Sequence, residues 1–375
     1  MKKSLLACLL AAGMTTGALQ AQEPFPIQFI ALGGNTQTVP SDDYDQPFDA
    51  ATIPSASDAP AGDYQPEYRK PRQRYVPTNY AQASGLLMHR VSTGADRALV
   101  AQGVTSALET SDLDALTGGF QATIGWQLFG SAHHALELSY FGLYDWSESA
   151  TLTSPANNLS VVGVTSVAFP NFSLASAVDV DYSSDLYNAE FNYVRSFYYQ
   201  GAKIDFLSGF RYVHLDENLG ITADNTTAIG SFPLVPGIGT YDVDVRNNLF
   251  GHQIGGRYSR PLGRWSLQTV GKAGVFLNDA SSSQSLTDVT LLGPVAVASE
   301  SDRRSVAALG ELGIFGRRQL TDTWALRVGY QATGIGGVAL ATNQTTPLEL
   351  STSAGIDTDG FFFMHGGVFG LEAAW

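Results

Sequence analysis

The chain has 375 residues, 15% of them charged and 44% hydrophobic, with 39 glycines and a net charge of −14. That charged fraction is well below the roughly 25% of an ordinary soluble domain, while the hydrophobic fraction is too modest for a bundle of membrane helices. The acidic balance argues against a nucleic-acid partner, and no run of about 18 apolar residues marks a transmembrane helix.

Lys2 and Lys3 precede an apolar run over 5–14, followed by small residues as far as Ala21. That order marks residues 1–21 as a secretory signal peptide, cleaved near Ala21. The only cysteine, Cys8, lies inside it, so the exported chain carries no thiol, as an oxidising compartment favours. Residues 22–83 are rich in Pro, Asp, Gln and Tyr and have no helical or strand period. They predict a disordered periplasmic arm.

From residue 84 the texture changes to alternation, beginning with the weak segment "SGLLMHRV" (84–91). Phe120, Ala122, Ile124, Trp126 and Leu128 alternate with Gln121, Thr123 and Gln127. Leu136, Leu138 and Tyr140 alternate with Glu137 and Ser139, and Tyr187, Phe191 and Tyr193 with Asn188, Glu190 and Asn192. The period of two recurs over 206–212, 250–258, 265–275, 308–317, 324–331 and 361–375. Period two means strands, and the count comes to about ten.

The connections alternate too. Those at 129–134, 198–203, 260–264 and 318–322 are short, whereas 92–116, 145–185, 216–241, 279–302 and 340–359 are long, polar and irregular. An outer-membrane meander sorts its connections this way, with short periplasmic turns and long outer loops. An apolar strand face in water needs a second layer, and no helix or further strand set supplies one. In lipid that face is satisfied, but the sheet must then close on itself. The expectation is an all-β fold over 84–375: a transmembrane antiparallel up-and-down β-barrel in the bacterial outer membrane. A soluble barrel with the large residues inside is the runner-up. Segments long enough for a tilted membrane strand of about 9–11 residues weigh against it. Trp126, Tyr140, Trp265, Trp324 and Trp375 fall near segment ends and mark interfacial girdles.

The opposite faces then line the lumen. They carry the acids Glu137, Glu190, Asp205, Glu311 and Glu372 and the bases Arg211, Arg257, Lys272, Arg317 and Arg327. A barrel of about eight strands is filled by its own side chains, and open channels come at about sixteen. Ten strands predict a narrow or largely plugged lumen whose charges pair; a selectivity-setting pore lining is the other reading. The long loops hold acids and almost no bases. They should attract cations, or hold Ca²⁺ or Mg²⁺ weakly; the plainer reading is that acidic loops keep a surface soluble. Outer-membrane lipid and small ions or solutes are the expected partners.

No nucleophile elbow, zinc-protease helix or phosphate loop appears. His133 and His134 sit in a short turn, and His252 and His365 on apolar faces. The chain is expected to be porin-like, without a cofactor and not an enzyme. An adhesive or structural barrel acting through its loops is the alternative, and a barrel-borne hydrolase comes after that.

"TGGFQATIGWQLFGSAHHALELSYFGLYDWS" (117–147), "YAQASGLLMHRV" before it and "GFFFMHGGVFGLEAAW" at the end together resemble the planctomycete outer-membrane family beta-barrel porin-7, over roughly 80–375. The resemblance implies secretion across the inner membrane, an outer-membrane barrel and a porin-like role, with no catalytic motif to transfer. It also implies that the closing segment, which must pair with the first to seal the barrel, is read by the outer-membrane assembly machinery.

Overall fold

The computed structural model describes residues 79–375 apart from 93–96, 115, 129–130, 132, 165–168, 227–235, 291 and 346–354. The expected signal peptide and residues 22–78 of the expected arm lie outside the described residues. Numbered in chain order, the barrel strands are β1 (Asn79–Ser92), β4 (Leu116–Gln127), β5 (His134–Thr153), β7 (Ala177–Tyr199) and β8 (Ala202–Asp224). They continue with β9 (Ile238–Leu262), β10 (Trp265–Thr290), β11 (Gly293–Gln319), β12 (Trp324–Val338) and β13 (Gly360–Ala374). Each pairs antiparallel with the next barrel strand, and β1 pairs with β13 to close the ring. Three short strands, β2 (Ala98–Gln102), β3 (Thr105–Glu109) and β6 (Leu159–Val161), form a separate small sheet.

The seam corrects one expected boundary. The first strand starts at Asn79, so Asn79–Ala83 belongs to the barrel and not to an arm. This stretch pairs with β13 from Tyr80↔Ala374 and with β4 from Asn79↔Trp126. It looks unlike a strand because Tyr80 and Gln82 are polar, but both line the lumen.

Short connections close one end, and two of them are two-residue turns. Gln200 and Gly201 between β7 and β8 both have positive φ, 47° and 77°, as a type I′ hairpin turn requires. Between β9 and β10, Gly263 takes φ 67° at the first turn position.

At the other end the strands overshoot the membrane. β1, β4, β12 and β13 have 14, 12, 15 and 15 residues, whereas β7 to β11 have 23 to 27. A membrane strand needs about 9–11. Much of the expected irregular loop sequence in 145–185, 216–241 and 279–302 is therefore strand. β10 and β11 stay paired from Trp265↔Arg318 to Thr290↔Gly293, straight through 279–302. Above the short strands, β5 and β7–β11 stand as an open wall.

The wall folds back on partners of its own. Val178, Val180, Leu219, Ile221, Tyr241, Val243, Val245 and Leu286 on its inner face are each 1% exposed or less. They pack in one cluster with Leu99 and Val100 of β2, Leu159 and Val161 of β6, and Phe172. Full burial of such a side chain contributes about 1.5–3 kcal/mol. The expected loops are thus in large part a cored cap at the long-strand end.

Candidate functional site

Strand alternation places every one of the expected charged positions on the inner face of the ring, and side-chain length brings them together. Nearest the short turns, Arg257 grips Glu137 with two parallel bonds, Nη1 to Oε1 and Nη2 to Oε2, each 2.9 Å. The Tyr80 hydroxyl also donates to Glu137, and Gly125 leaves the room that ring needs, since a Cβ there would lie 2.1 Å from it. Arg257 reaches Asp205 as well, at 3.3 Å, and Asp205 takes Lys203 at 3.1 Å and the Ser196 hydroxyl at 2.6 Å. Higher up, Arg211 lies 2.9 Å from Glu311 and 3.3 Å from Glu190. Lys272 bridges the same two carboxylates at 3.2 and 3.0 Å. Gln253 and Asn192 donate to Glu190 at 2.8 and 3.1 Å. Arg317 pairs with Glu372 at 3.0 Å. Arg327 donates to Gln82 and lies 3.7 Å from the centre of the Phe315 ring, without a carboxylate of its own among the described residues.

These groups are buried: Glu137, Glu190, Asp205 and Arg211 are 1%, 4%, 1% and 3% exposed. A buried ion pair contributes little net stability, but removing one partner strands the other and costs about 3–5 kcal/mol. The arrangement surrounds a polar cavity of about 320 Å³, which reaches from Glu311 and Lys272 to Tyr198, Lys203 and Ala374 beside the short turns.

Above the charges the inner face turns apolar. Leu86, Met88, Leu143, Leu186, Val213, Leu215, Leu249, Phe276, Phe362 and Met364 pack in one buried cluster across the ring. The chain after β12 then crosses this layer. Asn247 accepts from the Ala339 amide and donates to its carbonyl at 2.8 and 2.7 Å. Asn278 donates to the Gly337 carbonyl at 3.1 Å, and Glu217 accepts from the Ala341 amide at 2.8 Å. Glu217 also takes Arg90 at 2.9 Å, whose guanidinium lies between the rings of Tyr182 and Phe362 at 4.8 and 5.0 Å. Sequence reading missed this latch. Arg90 looked like a flaw in a weak strand, and Glu217 looked like one more loop acid; only the register joins them.

The outer face explains the aromatics. Trp126, Trp265, Trp324 and Trp375, exposed by 41 to 48%, lie near the short-turn ends of their strands or beside them. Tyr140 bonds to Tyr144 nearer the opposite rim. Between the rims Phe206, Phe210, Phe250, Ile254, Leu312 and Val328 are exposed. On β10 the belt from Trp265 to Leu277 spans roughly 30 Å at about 3.3 Å per residue and 40° of tilt, the height of a membrane's hydrocarbon core. Beyond it, outward positions become Asp181, Asp216, Asp242, Asp244 and Asp279. Among the described residues, no group of three or more His, Asp or Glu side chains converges to hold a metal ion.

The model of the beta barrel porin-7 (BBP7) family matches residues 90–350. No curated protein sequence matches the chain. Among solved structures, the outer membrane protease OmpT from Escherichia coli is similar at 10% identity and a TM-score of 0.39, covering 81% of this chain and 99% of that one. CarO from Acinetobacter baumannii is similar at 13% and 0.25, covering 80% and 98%. A FadL homologue from Pseudomonas aeruginosa is similar at 12% and 0.27, covering 80% and 91%. The expectation that the chain is not an enzyme is withdrawn: an outer membrane protease stands among the solved structures to which the chain is similar.

Proposed function

The chain belongs to the beta barrel porin-7 family, and from that premise we propose that it is an outer-membrane barrel whose lumen is plugged at its outer end and whose folded cap stands on the cell surface. The short turns face the periplasm and the wall faces outward, as in other outer-membrane barrels. The observation that carries the reading is the apolar layer around Leu86, Phe276 and Phe362, which lies across the ring above the paired charges. Ions do not cross a packed, largely apolar layer without a cost of several kcal/mol. The outward acids of the wall leave the outer surface negative, so any residual current should favour cations.

Planar-bilayer recording tests this. The intact protein should give no sustained steps, and rare openings should be cation-selective; steady large steps would overturn the plugged reading.

A second reading rests on the cap. A cored cap of this kind is more than solubilising loop, and it supports an adhesive or structural role at the surface. Replacing 155–176 by a short turn should abolish binding of cells to a surface while the barrel still assembles. Unchanged binding would remove this reading.

A further inference from the structure

The paired charges in the lumen do not quite balance. Four carboxylates line the cavity, Glu137, Asp205, Glu311 and Glu372, and each has a base within 4.0 Å. Five bases line it: Lys203, Arg257, Lys272, Arg317 and Arg327. The first four are the cations that pair with those carboxylates; among the described residues only Arg327 is left without one. Glu190 and Arg211 behind the cavity add one charge of each sign and leave the excess unchanged.

Arg327 is 7% exposed, and its Nε–H is buried without an acceptor among the described residues. Leaving such a donor unmet costs about 1–3 kcal/mol, more for a charged group. Its one hydrogen-bonded neighbour among the described residues, Gln82, is neutral. A second orphan faces the same cavity: the Gln121 Oε1, an acceptor, is also buried without a donor. The two residues share one register row, Arg327↔Gly370, Gly370↔Ser84 and Ser84↔Gln121, with only small side chains between them. The rest of the lining supplies further amides and hydroxyls, among them Thr123, Ser139, Gln268 and Gln331.

We propose that this cavity is a binding site for a small hydroxylated carboxylate of the sugar-acid class, with the carboxylate on Arg327 and a hydroxyl on Gln121. A guanidinium meets a carboxylate with two parallel bonds. The hydroxyls meet the amides and hydroxyls of the lining, where Thr123 and Ser139 bond to each other and Gln268 to Ser259. A cavity of about 320 Å³ lies at the small end of ligand pockets. The site rests on the proposed orientation, in which it opens to the periplasm beneath the plug, so the ligand is held and not passed through.

The test uses the full barrel in detergent, with folding checked by heat-modifiability. Sodium gluconate is the probe, and glucose and acetate are the controls, all measured by isothermal titration calorimetry. Wild type should bind gluconate more tightly than acetate and should not bind glucose. Arg327→Gln should weaken gluconate binding about tenfold or more, and Arg327→Lys should retain part of it. Where the Gln variant does not fold, Arg327→Lys and Gln121→Leu carry the test, each with an expected loss of affinity. Absence of gluconate binding to wild type overturns the proposal, as does equal binding by folded Arg327 variants. Conductance separates the two readings: a conducting barrel that binds gluconate sinks only the plug, and a silent barrel that does not bind sinks only this site.

Discussion

The same strands carry two opposite patterns. Along β8 the membrane section turns Phe206 and Phe210 outward and Asp205 and Arg211 inward; a few residues higher, Asp216 and Asn218 face out and Leu215, Leu219 and Ile221 face in. β9 does the same, from Phe250 and Ile254 outside to Val243 and Val245 inside. Along these two strands the period of two does not break; in β5 a bulge between Leu143 and Trp146 interrupts it. What reverses is the solvent on the outer face, from hydrocarbon to water, and the inner face answers with the complementary chemistry. In the lower section specificity comes from paired charges, where each partner is expensive to remove. In the upper section it comes from apolar volume, where each methylene contributes a little.

The largest break in this comparison is the loss of the seam that both sections share. β13 pairs with β1 on one side and β12 on the other. Deleting 369–375 removes the register partners of the short-turn half of β1, from Ala374↔Tyr80 onward, and should abolish a heat-modifiable barrel in the outer membrane. A truncated chain that still shifts on heating would show that the seam is not what closes the fold.

Single substitutions come next, and they should separate the sections. Arg211→Met leaves Glu190 and Glu311 sharing Lys272 alone and should destabilise the membrane section by about 3–5 kcal/mol. Leu219→Ala, in the cap core, should cost about 2–5 kcal/mol and be read only in the cap. Denaturant unfolding of the barrel beside limited proteolysis of the cap measures both; an Arg211 variant that loosens only the cap would erase the distinction. Glu217→Gln lies at the junction. It weakens the hold on Arg90 but keeps an acceptor for the Ala341 amide, so it should loosen the crossing chain after β12 and increase hydrogen exchange there. Unchanged exchange would show that the latch is passive.

How much of this was legible follows from the same reversal. The lower section was readable because aromatic residues repeat on one face and charges on the other, and a membrane strand has the right length for that run. The wall was not. "YDVDVRNNLF" alternates as regularly as any membrane strand, but with aspartates on the phase where phenylalanines stand below, and its acids suggested loop. Tyr80 and Gln82 were passed over for a related reason: polar residues in a first strand look like arm until the lumen that receives them is known. The latch between Arg90 and Glu217 could not be found from either strand alone, since no local spacing relates two such distant residues whose meeting depends on closure. The charged lumen set was different. Each member followed from period two on its own strand, although which acid meets which base depends on a register that sequence does not carry.

The smallest expected effect concerns the cap alone. Asp288 is 2% exposed and accepts from the Asn171 side chain at 2.7 Å, the Asn171 amide at 3.3 Å and the Val289 amide at 2.7 Å. Burial pushes its carboxyl above the usual aspartate range, and the bonds from Asn171 and Val289 pull it back only in part. A group whose pKa is raised on folding favours the folded state while it is protonated. Its contribution is complete below the unfolded value, near 3.9, and is lost as pH rises through the folded one. Asp224 has the opposite sign, because the Thr226 amide and hydroxyl hold it low, so the wild-type slope alone does not isolate Asp288. Asp288→Asn does. The amide oxygen still accepts from Asn171, but nothing titrates. As pH rises from about 4 toward neutral, the direction in which the carboxyl loses its proton, wild type should lose more cap protection against protease than the Asp288→Asn variant, with barrel stability equal in both. If the two slopes coincide, the burial of Asp288 does not tune the cap, and its three bonds offset the desolvation in full.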